Sequence, residues 1–169
     1  MELMNKSLNG KVFKFGDDID TGQIIPGKYV VLTDPDELAS HVFEDIAPEF
    51  KSKVELGDII VAGKNFGTGS SREHAPKAIK FSGISAVIAK SFARIFYRNA
   101  INIGLFAITL PQVDEFKEND QITINLNEGK VINHTQGKEY EFELPHKVML
   151  DIFAEGGIIP FTKKELNLK

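Results

Sequence analysis

Cysteine is missing from all 169 residues, which excludes disulfides and leaves no thiolate in this chain to hold an iron–sulfur cluster. The four histidines, His41, His74, His134 and His146, stand far apart without paired ligand spacing, so a self-contained zinc site is not expected. A run of about 18 apolar residues is lacking, as is a basic-then-apolar leader, and the expected compartment is the cytoplasm. Positive charge is scattered rather than clustered. The 20 Lys and Arg against 24 Asp and Glu give a net charge of -4, which offers no long-range attraction to nucleic acid or anionic lipid. Repeats, low-complexity tracts and linkers are absent as well. With 42% hydrophobic residues the chain has material for a proper core, and residues 1–169 are expected to form one domain.

Against these absences, one stretch is dense with chemistry. Residues 58–62 are a short β-branched apolar run that reads as a buried strand, and it leads into Gly63, Gly67 and Gly69. Glycines at this spacing let a backbone turn sharply and approach a ligand with its N–H groups inward. Downstream, Ala75, Ala78, Ile79 and Phe81 mark a helix over 76–82, with Pro76 tolerated in its first turn. Ser70 to Glu73 then precede the helix, where free N–H groups and the positive dipole end favour a carboxylate or phosphate. Two readings of Ser70-x-x-Glu73 stay open, a capping box that only finishes the helix and a site that holds an anion. Arg72 favours the second, because a guanidinium beside two hydroxyls adds donors without an acceptor.

Other motifs fail on the same residues. A dinucleotide fingerprint needs glycine where Arg72 stands, a P-loop needs its lysine at the end rather than at Lys64, and a nucleophile elbow needs glycine two residues after Ser70.

Elsewhere, Val12, Phe13 and Phe15 sit in an opening strand, and the acidic turn of Gly16 to Asp20 leads to a second extended piece ending at Pro26. Asp34 as N-cap, Pro35 at N1 and Glu37 at N3 start a helix with Leu38, Val42 and Ile46 as its apolar stripe. Further strands are expected at 85–89, 105–109, 121–126 and 129–133, with a hairpin turn at Asn127-Glu128-Gly129. Helices are expected near 92–101 and 146–155, the last stopped by Gly156-Gly157. Spacing alone supports an α/β class.

Three segments carry a family resemblance. The run from Gly63 through Asn65, Phe66, Gly67, Gly69, Ser70, Ser71, Arg72, Glu73 and His74 to Ala75 resembles the signature of the aconitase superfamily's swivelling domain. Lys14 to Tyr29 resembles the first block of the free-standing small subunits of the isopropylmalate isomerase family, and Ser91 to Leu105 is similar to the helix after the second strand in that family. The resemblance implies a layered β/β/α swivelling fold and a hydro-lyase that moves a hydroxyl between adjacent carbons of a substituted malate. It also implies a heteromer, with a 4Fe-4S cluster held by a large partner subunit and no cofactor or metal held here.

On the family pattern Ser70 is the general base, while Ser71 and Arg72 bind a substrate carboxylate. Val31, in the strip Tyr29-Val30-Val31-Leu32, meets the substrate's variable group, and its apolar character suits isopropylmalate rather than homocitrate. Gly22 departs from the family, whose small subunits commonly carry aspartate there to orient the base, and Asp20 is the candidate substitute. That departure keeps 2,3-dimethylmalate in play as a substrate. An isolated small subunit of this kind is also a possible homo-oligomer. A different class, a non-catalytic dicarboxylate- or phosphate-binding module, uses the same glycine turn without a partner. Arg94, Arg98 and Asn99 read as the polar face of an amphipathic helix.

Overall fold

A computed structural model describes residues 7–169, so the first six residues of the expected domain lie outside the described residues. Its strands fall into two kinds. β2 (Ile59–Ala62), β3 (Ala86–Ala89) and β4 (Phe106–Thr109) are short apolar runs in parallel register, and β2 and β3 are buried at every position. Continuous burial is what parallel strands covered on both faces require. β5 (Gln121–Asn125), β6 (Lys130–Asn133) and β7 (Lys138–Glu141) form an antiparallel meander in which buried and less buried residues alternate along β5 and β6.

β1 (Ser7–Lys14) joins the two halves. Its first five residues pair antiparallel with β5, and Val12, Phe13 and Lys14 pair parallel with Ile59, Ile60 and Val61 of β2, giving the order β4-β3-β2-β1-β5-β6-β7. Gly10 sits at the crossing, where an added Cβ would lie 2.2 Å from the Gly57 carbonyl oxygen.

Alternation along β2 separates two cores. Ile60 and Ala62 face Phe13, Ile24, Phe43, Phe50 and Ile79, whereas Ile59 and Val61 face Ile88, Phe106, Ile122 and Val131. The meander therefore curls back over one face of the parallel strands. The other face is covered by α1 (Thr21–Ile24), α2 (Pro35–Ala39), α4 (His74–Phe81) and α5 (Arg94–Asn102), with the short α3 (Phe50–Lys53) at its edge. This is the three-layer β/β/α arrangement that the family resemblance implies.

The expected strands and the 127–129 turn, with Gly129 at φ +64°, stand within a residue or two of their predicted places. Several elements differ. The piece before Pro26 is not extended but is the helical turn α1, because Asp20 accepts from the Gln23 amide and the Gln23 side chain accepts from the Asp20 amide. The helix capped by Asp34 ends at Ala39. Phe43, at φ +54°, breaks the helical path and donates its amide to Ile24, leaving Ile46 at 38% exposure. α4 begins at His74, two residues before Pro76. Two terminal elements went unforeseen. β7 has Tyr140 as its one buried residue, and α7 (Ile158–Glu165) starts after two glycines that also end α6 (Lys147–Ala154).

Candidate active site

Parallel pairing of β1 with β2 sends both following loops out of the same end of the sheet, and each loop becomes the template of the other. Asp17 accepts the Lys64 amide at 2.7 Å, and Asp18 accepts from the Asn65 side chain at 2.9 Å. The acidic turn is therefore a scaffold for the glycine loop. Ser91 holds it from the other side, its hydroxyl accepting the Asn65 amide and its carbonyl the Phe66 amide. Gly67, at φ +87°, packs its bare Cα against the Phe96 ring, which would lie 2.2 Å from a Cβ. The Thr68 carbonyl then accepts the Thr21 amide at 2.7 Å, and Gly69 at φ +104° turns the chain toward α1.

That turn delivers Ser70 to Thr21. The Ser70 amide donates to Thr21 Oγ1 at 3.1 Å, and the two hydroxyl oxygens are 3.2 Å apart. Thr21 is 6% exposed, so its hydroxyl is fixed from behind, whereas Ser70 is open to the outside. No capping box forms at Ser70-x-x-Glu73. Glu73 is itself the N-cap position, in helical conformation, and its carboxylate pairs with Lys77 at 3.3 Å.

Beside this pair lies a cavity of about 280 Å³ lined by Asp20, Thr21, Gly22, Ile25, Val30, Gly69, Ser70, Arg72 and Ala75. One part of its lining is polar, with Asp20, Thr21, Ser70 and Arg72, and the rest is apolar, with Ile25, Val30 and Ala75. The Arg72 guanidinium engages no other described residue through a hydrogen bond or ion pair. Its Nη1 reaches the Gly27 turn, 3.7 Å from where a Cβ at that glycine would be. A cation with free donors next to a hydroxyl and an apolar wall suits a small anion that carries a hydrocarbon branch.

The residues singled out from the sequence are partly gathered here. Ser70, Arg72 and Asp20 line the cavity. Ser71 is exposed between its neighbours and does not line it, and its carbonyl accepts from the Asn99 side chain at 3.1 Å. Val30, which follows the 3₁₀ turn Gly27–Tyr29, lines the cavity, whereas Val31 is 78% exposed. Asp20 has its Oδ1 turned back onto α1 as a cap, so the oxygen adjoining Ser70 belongs to Thr21. Sequence reasoning missed Thr21, Ile25 and Ala75 as lining residues, and it included Val30 only as part of the strip 29–32. The Asp20-x-x-Gln23 capping pattern was the available signal, since it makes Thr21 the first helical residue.

Arg94 and Arg98 are exposed and, like Arg72, make no side-chain hydrogen bond or ion pair with a described residue. His74 Nδ1 is buried without a hydrogen-bond partner among the described residues. Near the cavity, Glu44 accepts from the Tyr29 phenol at 2.7 Å. That bond above all holds its carboxyl below the ordinary range and raises the phenol.

The model of the aconitase C-terminal domain family matches residues 17–113. Among curated relatives, the 3-isopropylmalate dehydratase small subunit of Thermodesulfovibrio yellowstonii is 54% identical, over 96% of this chain and 97% of that protein. The same-named protein of Aquifex aeolicus is 53% identical over 98% and 100%. The crystal structure of 3-isopropylmalate dehydratase from Methanocaldococcus jannaschii superposes with a TM-score of 0.92 at 49% identity, covering 96% of each chain.

Proposed function

The chain belongs to the 3-isopropylmalate dehydratase small-subunit family of the aconitase superfamily, and on that premise we propose that its cavity grips the substrate and removes the carbon-bound proton. The enzyme is a hydro-lyase of leucine biosynthesis that interconverts 2- and 3-isopropylmalate by dehydration and rehydration. This chain is one subunit of it, a single domain over residues 1–169 that works in the cytoplasm with a large partner.

Removing a proton from carbon beside a carboxylate needs a base within reach and a cation where charge builds. Arg72, with its donors unengaged, is the cation and takes the substrate carboxylate, and Ser71 offers a further hydroxyl. Ser70 Oγ is the base. An ordinary hydroxyl is no base near neutral pH, but the Arg72 charge and the N-terminal end of α4 supply the positive potential that favours alkoxide. Thr21 aims the oxygen. In dehydration the serine oxygen takes the proton, the C–H electron pair becomes the double bond, and hydroxyl leaves the neighbouring carbon. Rehydration adds hydroxyl to the carbon that lost the proton and a proton to the carbon that lost hydroxyl, which gives the other isomer. Ile25, Val30 and Ala75 receive the isopropyl group by burial.

Pulling the hydroxyl away is Lewis-acid work, which a 4Fe-4S cluster on the large subunit supplies when bound. With no cysteine, this chain offers no thiolate to ligate such a group.

The observation that carries the reading is one cavity with a guanidinium that pairs with no described residue and an oriented serine on its polar part and three aliphatic side chains on the other. Its test is anaerobic reconstitution with the large subunit, followed by dehydration assays on isopropylmalate, 2,3-dimethylmalate, homocitrate and citrate. Isopropylmalate is expected to be the preferred substrate. Ser70→Ala is expected to assemble normally and to lose turnover by about a hundredfold or more. Wild-type turnover in that variant, or a preference for homocitrate, would overturn the assignment.

A further inference from the structure

The strip that brings Val30 to the cavity is tied to the rest of the fold by very little. Its backbone hydrogen bonds are all local: Tyr29 to the Pro26 carbonyl, Val30 to that of Gly27, and Leu32 to that of Tyr29. Leu32 and the Tyr29 ring add partial packing against the core. The polar anchor is a single carboxylate. Glu44 Oε1 accepts from the Tyr29 hydroxyl at 2.7 Å, and its Oε2 is 2.8 Å from His41 Nδ1. The two donors are stacked on one another, ring centroids 3.7 Å apart and planes 10° off parallel. Lys28, also from the strip, stands 3.6 Å from the same carboxylate.

Glu44 itself sits on firm ground. Its neighbour Phe43 is fully buried, donates its amide to Ile24 at 2.8 Å and accepts from Ala47 at 2.8 Å. The carboxylate is thus fixed from the core side while its two oxygens fix the strip.

We propose that Glu44 is a positioning residue for alkyl recognition: through Tyr29 and His41 it holds the strip of residues 27–32 so that Val30 stands at a set depth in the cavity. This rests on the functional reading above, in which Val30 receives the substrate's branch. Burial of a methyl or methylene in a fixed apolar site discriminates by about 10- to 200-fold, and the discrimination exists only while the wall stays in place. Freeing the strip removes that contribution, while Arg72 is carried by the loop before α4, which Glu44 does not hold in place. The loss therefore falls on KM for a branched substrate rather than on kcat.

The test uses the reconstituted heteromer with isopropylmalate and with a malate bearing methyl in place of isopropyl. Glu44→Ala is expected to reduce the ratio of kcat/KM for the two substrates about tenfold, mainly through KM for isopropylmalate. Tyr29→Phe, which removes only the phenol oxygen and keeps the ring, moves the ratio in the same direction. Glu44→Gln keeps an acceptor for the phenol and restores most of the ratio. In the isolated chain, hydrogen exchange of the Tyr29, Val30 and Leu32 amides is expected to quicken roughly tenfold or more in Glu44→Ala, since hydrogen bonds to a charged group are lost. An unchanged ratio in a heteromer whose wild type turns over isopropylmalate overturns the proposal, as does unchanged exchange in the isolated chain. A wild-type heteromer inactive on both malates counts against the functional reading instead, and the exchange measurement still judges the anchor.

Discussion

Replacing Thr21 with valine exchanges one hydroxyl for a methyl group of nearly the same shape. Thr21 Oγ1 accepts the Ser70 amide at 3.1 Å and stands 3.2 Å from Ser70 Oγ, so the variant removes both contacts without opening a hole. The stability loss is that of one net hydrogen bond, because exposed Ser70 can turn to water: about 1 kcal/mol, or a fall in Tm of about 2–4 °C for a protein of this size. The loss in rate is larger. A base whose oxygen drifts by about 1 Å from its productive position loses on the order of a hundredfold in turnover. The expected result in the reconstituted heteromer is therefore kcat down by ~30- to 100-fold, with KM within about threefold, since the proposed grip of Arg72 on the carboxylate does not depend on this hydroxyl. Thr21→Ser returns the oxygen and is expected to recover most of kcat. Full turnover in Thr21→Val, or a change confined to KM, would refute the claim that this hydroxyl aims the base.

Two further expectations concern the scaffold. Burial by itself would raise the Asp120 carboxyl, but the Lys117 amide at 2.9 Å and the side chains of Asn133 at 2.7 Å and Gln136 at 2.6 Å all donate to it and leave it below its ordinary value. A carboxyl depressed on folding contributes stability above its unfolded pKa near 3.8, and that share is lost as pH falls through the lower folded value. Asp120→Ala should thus lose about 2 kcal/mol at pH 7 in urea unfolding and show a shallower decline into acid; an unchanged acid limb contradicts this. Gly67→Ala should lose about 3 kcal/mol, from a left-handed backbone and the overlap with Phe96, whereas Gly16→Ala, with nothing within 4 Å of its Cβ, should be nearly neutral. A loss under about 1 kcal/mol at Gly67 would refute that packing.

Local order was legible because it is set within a few residues. The β-branched runs at 59–62 and 86–89, the Asp34 cap and the Asn127–Gly129 turn each encode their structure in their own neighbourhood. Where a local signal had two meanings, contacts from afar chose. Ser70-x-x-Glu73 has the letters of a capping box, yet the box forms at Asp20-x-x-Gln23, and Ser70 is claimed by Thr21. Likewise one apolar residue, Tyr140, gave too little periodicity for β7 to be read.

The sequence by itself determined that a glycine turn with excess donors stands between a strand and a helix, and its motifs identified the family. Only the tertiary structure decided which side chains share the cavity. Thr21 and Ser70 lie 49 positions apart and meet because β1 and β2 run parallel and release their loops at one end of the sheet. Val30 lines the cavity while Val31 is exposed, in a strip that follows the three-residue turn Gly27–Tyr29. Propensity and patterning act along the chain over a turn or so, whereas which groups face one another across a cavity depends on strand order and register, which arise only when the cores on both faces of the sheet close together.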